Sequence, residues 1–165
     1  MATSRPHPFA VNHVAISVPD LDAGVEWYTT HLGLTKLRPN ASYDKSKDPS
    51  AAIFAVYPER LQRVNVAFLS AGNGVGVELF QFVEPAYKKP SADFEFERGG
   101  FFHAAFTVPN PDAVAERIVA SGGELVGKTV KVGPDDDALY LRDPWGNTLE
   151  LLSISFERLM SGGGS

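Results

Sequence analysis

Val11-Asn12-His13-Val14-Ala15-Ile16-Ser17-Val18-Pro19-Asp20 returns 90 residues later as Phe101-Phe102-His103-Ala104-Ala105-Phe106-Thr107-Val108-Pro109-Asn110. His13 matches His103, Pro19 matches Pro109, Asp22 matches Asp112, Ala23 matches Ala113, Glu26 matches Glu116 and Gly33 matches Gly123. Each copy also ends on a Gly-Asn turn before a Glu-Leu strand: Gly72-Asn73 ahead of Glu78-Leu79, and Gly146-Asn147 ahead of Glu150-Leu151. A repeat of this length implies two equivalent structural modules. A His early and a Glu late in each imply a metal site.

The elements follow from local signals. Residues 11–18 are rich in β-branched residues and stop at Pro19, as a strand end does. Asp20 or Asp22 can cap a helix to about His31, closed by Gly33. Leu21, Val25, Tyr28 and Leu32 recur at helical spacing, so Tyr28 and its neighbour Trp27 read as core. A short strand is predicted at 34–38, a proline-punctuated insertion or loop at 39–60, and strands near 63–69 and 75–83. The second copy predicts a strand at 101–108, a helix over 111–121 and strands near 128–132, 138–142 and 148–154.

Each half therefore reads β-α-β-β-β. The expected fold is α+β: two βαβββ modules in tandem, forming an open, cup-shaped eight-stranded sheet. One domain is expected over 10–155, with modules at about 10–85 and 100–155 joined by the loop 85–100. Residues 1–9 read as a lead-in and 156–165 as a flexible tail ending in the linker-like Ser161-Gly-Gly-Gly-Ser165. The His-to-Glu separation is 18 residues longer in the first half, which fits the insertion.

Strand alternation assigns the faces. His13 shares a face with Ala15 and Ser17, and His103 with Ala105 and Thr107. The opposite faces carry Val14, Ile16 and Val18, and Phe102, Ala104, Phe106 and Val108, which must pack on helices. Glu78 shares its face with Phe80 and Phe82, and Glu150 with Leu152 and Ile154. A pseudo-twofold would bring His13, Glu78, His103 and Glu150 into one cup, walled by those apolar side chains. A single strand His is usually structural. A Glu inside an apolar strand is costly to bury unless paired or metal-bound, and here two such Glu come with two matched His. Two neutral imidazoles and two carboxylates balance one divalent ion, Zn, Ni, Co, Mn or Fe(II), with positions left open for water or substrate oxygens.

The rest of the composition sets limits. Net charge is −5 and the pI about 5.3, so neither nucleic acid nor an anionic membrane is an expected partner. With no cysteine, any metal must be held by N and O donors. No apolar run approaches a membrane span, and the expectation is a soluble cytoplasmic protein. His7 and His31 read as surface residues, and Asp135-Asp136-Asp137 as a solvated turn.

The phrases His13-Val-Ala-Ile-Ser-Val-Pro-Asp-Leu21, Trp27-Tyr28 with Leu32-Gly-Leu34, Val77-Glu78-Leu79, Gly100-Phe-Phe-His103 and Asp143-Pro-Trp-Gly-Asn147 leading to Leu149-Glu150-Leu151 resemble the vicinal oxygen chelate superfamily over nearly all of residues 10–155. Its members include glyoxalase I, methylmalonyl-CoA epimerase, extradiol dioxygenases and fosfomycin-resistance enzymes. The ligand set is nearest to glyoxalase I, and the stretch from Arg63 to Pro85 to the epimerases. The resemblance implies a metal-dependent lyase, isomerase or epimerase that enolises a small, hydrophobic carbonyl compound. Glu150 would be the base and Glu78 its alternative or the counterpart acid. Tyr140 would be a substrate donor, sharing a strand face with Arg142. Phe80, Phe82, Leu152, Ser17 and Thr107 would complete the substrate pocket. Ser17 and Phe82 stand where bacterial glyoxalase I carries the Arg and Asn that hold glutathione, so glutathione is not expected as a cofactor. Glu78 argues against the alternative, an Fe(II) extradiol-type dioxygenase, and the full ligand set against a non-catalytic binder of aromatic drugs. Exposed sheet edges suggest a homodimer.

Overall fold

A computed structural model describes residues 9–90 and 94–162; His7, most of the lead-in and the last three residues lie outside that range. The elements are β1 (His13–Ser17), α1 (Leu21–Leu32), β2 (Thr35–Lys36), β3 (Ala41–Asp44), α2 (Ile53–Val56), β4 (Arg63–Ser70), β5 (Gly76–Glu84), β6 (Ala104–Thr107), α3 (Pro111–Ala120), β7 (Glu124–Lys131), β8 (Asp137–Arg142), β9 (Thr148–Leu152) and α4 (Phe156–Met160). They build two sheets, one ordered β1-β5-β4-β2 with β3 also on β4, the other β6-β9-β8-β7.

The repeat is visible in the register. In both sheets the first strand runs parallel to the last, with Ala15 opposite Glu78 and Ala105 opposite Glu150. The helix caps repeat too: Asp20 Oδ1 accepts from the Ala23 amide and Asn110 Oδ1 from the Ala113 amide, both at 3.0 Å. The last hairpins match through Ala71 N–H to Val75 O at 3.1 Å and Asp143 N–H to Asn147 O at 3.0 Å. That geometry pairs Gly74 with Gly146, both left-handed, so the turn Gly72-Asn73 is displaced from Gly146-Asn147 by two residues.

The strand count of nine hides eight positions. β2 and β3 lie on the same edge of β4, with Thr35 opposite Ser70 and Ala41 opposite Val66, and the register slips by two residues between them. Pro39 stands in the gap and has no N–H to give to a ladder. They are one interrupted strand. The expected loop over 39–60 is thus more ordered than its prolines implied, since it holds β3 and the short α2. β7 begins at Glu124, earlier than expected, and part of the tail is helical as α4.

The apolar faces of both sheets meet in one core. Ile16, Val18, Val77 and Leu79 from the first sheet join Leu139, Leu141, Leu149 and Leu151 from the second, with Leu21, Trp27, Tyr28, Val114 and Ile118 of the helices among them. Each fully buried Leu or Val is worth about 1.5–3 kcal/mol over an exposed one, so this shared core binds the modules together. Trp27 and Tyr28 are core residues, as expected. His31 is half-buried against Trp27, ring centroids 5.3 Å apart, rather than on the open surface. Burial, with Arg117 nearby, lowers its pKa.

A polar latch crosses that core. The Tyr28 hydroxyl donates to Asp143 Oδ2 at 2.9 Å. The Trp145 and Asn147 amides donate to Asp143 Oδ1, and Asn147 Nδ2 donates both to Asp143 Oδ2 and to the Ser17 carbonyl. Burial pushes the Asp143 carboxyl up, against the pull of Asn147, Tyr28 and Trp145. The latch ties β1 and α1 of the first module to the last hairpin of the second.

Candidate functional site

Because the shared core takes the faces opposite Glu78 and Glu150, the two carboxylates lie on the outer faces of their sheets. Each has its own His within reach. His13 Nε2 stands 3.4 Å from Glu78 Oε2, and His103 Nε2 stands 3.3 Å from Glu150 Oε2. The strand geometry explains both: the His sits two residues before the Ala that faces the Glu, on the same side of adjacent parallel strands. His13 opens β1, whereas His103 stands one residue ahead of β6.

The four expected ligands therefore form two half-sites, and no cluster of three or more His, Asp or Glu that could hold a metal exists among the described residues. The sequence left open whether the cup is built within one chain or between two swapped chains; among the described residues of one chain the two His–Glu pairs lie on separate sheets. The reason is the shared core: burying both apolar faces together turns both polar faces outward.

The residues fit a divalent ion pair by pair. Two donors bonded to one ion at about 2.1 Å stand roughly 3.0 Å apart at an octahedral angle and 3.4 Å at a tetrahedral one, which both His–Glu pairs match. His13 Nδ1 lies 2.7 Å from Asn12 Oδ1, so the tautomer with its proton on Nδ1 donates to that oxygen and has its Nε2 lone pair free for a ligand. His103 Nδ1 is buried with no hydrogen-bond partner, and its ring is set by packing on Phe102 at 4.6 Å and edge-on to Tyr140 at 5.3 Å.

Tyr140 lies directly across from Glu150 and hydrogen-bonds it; burial first, then the Glu150 charge and that bond, raise its pKa, so it stays a donor. Arg142 shares that face, is buried and gives a 2.9 Å ion pair to Glu124. Thr107 is exposed and Leu152 half-buried, opposite each other on β6 and β9.

In the first half, Phe80 and Phe82 stack at 5.5 Å and Tyr57 packs on both at 6.1 Å. They belong to a second apolar cluster with Leu61, Val64 and Val66, which lies on the Glu78 face. The insertion thus folds back over the first half-site. Two cavities remain there. One of about 280 Å3 is lined by Asn12, His13, Phe68 and Glu78 among others. The other, of about 360 Å3, is lined by Ser17, Tyr57, Phe82 and Tyr87 among others.

Sequence reasoning missed Asn12 and Tyr57. Asn12 was adjacent to His13, a place where a second-shell partner is common, but its repeat mate is Phe102 and so the repeat did not flag it. Tyr57 sits in the insertion, which has no counterpart in the second half. Its pKa is raised by burial and then by the charge of Glu78, which places it near that carboxylate.

Residues 10–151 match the family model described as Glyoxalase/Bleomycin resistance protein/Dioxygenase superfamily. A 2-epi-5-epi-valiolone epimerase from Actinomyces sp is 31% identical over 157 residues, covering 90% of this chain and 81% of the relative. A probable lactoylglutathione lyase from Vibrio cholerae serotype O1 is 26% identical over 144 residues, covering 85% and 87%. A glyoxalase family protein from Bacillus cereus shares the fold with a TM-score of 0.71 at 22% identity, over 92% of this chain and 97% of that one. The repeat, the paired sheets and the family match agree: this chain belongs to the glyoxalase/bleomycin resistance protein/dioxygenase superfamily.

Proposed function

We propose that the protein is a metal-dependent epimerase of a small carbonyl compound, working as a homodimer in which His13 and Glu78 of one chain meet the partner's His103 and Glu150. The observation that carries this is the pair of matched His–Glu contacts on outward faces, at 3.4 and 3.3 Å, each half of a divalent-ion ligand set. An epimerase is favoured over a lyase because a relative 31% identical carries that activity in its name.

A divalent ion held by the four side chains would polarise the substrate's carbonyl and so acidify the adjacent C–H. The protein's own groups do the rest. Epimerisation removes a proton from one face of a carbon and returns one to the other, which two carboxylates on facing half-sites provide. Glu150 removes the proton, with Tyr140 orienting its carboxylate by a hydrogen bond. Glu78 delivers a proton from the opposite face. The aromatic wall of Tyr57, Phe80 and Phe82 keeps water from the carbanion.

Mixing two inactive variants tests this. A chain with His13→Ala and Glu78→Ala keeps the second half-site, and a chain with His103→Ala and Glu150→Ala keeps the first. Random pairing makes half the dimers mixed, each with one intact site of two, so activity should return to roughly a quarter of wild type. No recovery, with both variants folded and dimeric, would contradict sharing of the site between chains. Wild-type protein that takes up no Zn, Ni, Co, Mn or Fe(II) would contradict metal dependence.

A further inference from the structure

Proton transfer at the His–Glu pairs leaves one cation of the first half-site without a task. Arg38 lies in the break between β2 and β3. Its backbone is pinned on both sides. The Leu37 amide donates to the Phe68 carbonyl at 2.9 Å, and Asn40 Nδ2 donates to Asp22 Oδ1 at 2.8 Å. Pro39, next in the chain, disfavours helical backbone at Arg38. From this anchor the side chain reaches back over β4, where its guanidinium carbon stands 3.7 Å from the centre of the Phe68 ring. Phe68 lies directly across the ladder from Glu78, so the guanidinium sits above the face that carries Glu78.

A guanidinium stacked on a ring is held in place with its N–H donors directed outward in its own plane. Arg38 makes no ion pair with an acid among the described residues. The acids of the adjoining segments are engaged: Asp22 accepts from Asn40, and Asp44 accepts from Ser46 and pairs with Lys47. Glu78 is committed to His13. The rest of that face is apolar, paved by Val64, Val66, Phe80 and Phe82. Between the pair and the cation lies the cavity of about 280 Å3, bounded by His13 and Glu78 on one side and by Leu37 and Phe68 on the other. The second half-site has nothing like it. Tyr140 takes the ladder place of Phe68, and its ring packs on Phe94 at 6.0 Å, not on a cation.

We propose that Arg38 is a specificity-determining residue that grips a carboxylate of the substrate, which makes the substrate a small oxo acid. This rests on the reading of the His–Glu pairs as the reacting centre. The strands β5 and β4 that carry Glu78 and Phe68 are neighbours about 4.8 Å apart. The reacting carbonyl and the carboxylate are separated by roughly that distance, the span of a γ-oxo acid. An oriented guanidinium offers a carboxylate two parallel N–H bonds, which an ester or a hydrocarbon cannot accept in the same way. The hydrophobic carbonyl compound expected from the sequence gives way to a small anion.

The test is calorimetric titration of the full-length protein at low salt with 4-oxopentanoate and its neutral methyl ester, with and without prior loading with Ni(II). The acid should bind at least about tenfold more tightly than the ester in both states, as a charge-assisted bidentate contact would give. In Arg38→Gln that preference should fall to within about twofold, and Arg38→Lys, which keeps the charge without the fork, should hold part of it. Lys36→Gln should leave it unchanged, because Lys36 pairs with Leu69 and belongs to the opposite face of the sheet. Equal binding of acid and ester, no binding of either, or a preference that survives Arg38→Gln would overturn the proposal. A preference seen only with Ni(II) would overturn it too, since the ion and not Arg38 would then hold the carboxylate. Sedimentation and thermal unfolding of Arg38→Gln should match wild type, the latter within about 2 °C. Loss of the dimer instead would make Arg38 an interface residue. Metal uptake without acid preference would sink this inference alone. Acid preference without metal uptake would sink the functional reading and leave the carboxylate contact standing.

Discussion

The two half-sites share a register and a His–Glu distance but differ in almost everything around them. His13 is nearly half exposed and Glu78 about a quarter, while His103 and Glu150 are at 25% and 17%. The first imidazole is held by a carboxamide, Asn12, and the second by two aromatic rings, Phe102 and Tyr140. Across the ladder Glu78 faces Phe68, whereas Glu150 faces Tyr140. Phe68 carries the Arg38 guanidinium 3.7 Å above its ring. The repeat therefore keeps the His–Glu pairing and releases its surroundings. The second half-site has a hydroxyl on its carboxylate and a drier setting, which suits an oriented base. The first is open, polar at its His and adjoined by cavities, which suits substrate entry.

That contrast can be broken at Glu150. Glu150→Gln should lower turnover about 10^3-fold while the metal is retained through the remaining ligands. A steady-state assay paired with metal analysis reads both, and full turnover with bound metal would remove Glu150 from its assigned role. A second break lies in the latch, which only one module has: Ala71 occupies the hairpin place of Asp143. Asp143→Asn would leave an amide facing buried N–H donors and should cost about 2–3 kcal/mol in urea unfolding. Ala71→Ser, its counterpart, should change stability little.

Smaller effects sharpen the comparison. Asn12→Ala should weaken metal affinity about tenfold, the usual size for losing a second-shell partner of a ligating His. Phe102→Leu should weaken it less, because packing rather than a hydrogen bond sets His103; a competition titration with a chromophoric chelator ranks the two. The smallest change is expected from Tyr140→Phe, which should reduce kcat about fivefold with metal affinity unchanged, since one neutral donor to a carboxylate is worth about 1 kcal/mol. A fall in metal affinity instead would make Tyr140 a support for the ligand set rather than for the base.

Equivalent positions also served different ends in the backbone. Gly33 and Gly123 match in the repeat, yet Gly33 is left-handed at φ 67° with open space around it, the usual helix end. At Gly123 a Cβ would stand 2.5 Å from Ile118 and 2.6 Å from the Arg142 carbonyl, so close approach excludes a side chain there. Repeat logic could find both glycines and could not tell their reasons apart.

The sequence by itself determined the module pattern, the family resemblance and the four residues worth naming. Each rests on local rules: strand alternation put His13 and Glu78 on polar faces, and caps and glycines bounded the helices. It also separated Trp27 and Tyr28 from the site, because helical spacing alone puts them in the core. Only the tertiary structure decided that one chain carries its two His–Glu pairs on separate outward faces. That outcome depends on which apolar faces pack on each other, and a strand's hydrophobic pattern says that it must be covered without saying by what. The same reason hid Tyr57. It reaches the Glu78 face through an insertion whose path no periodicity encodes, and long-range packing alone brought it to β5.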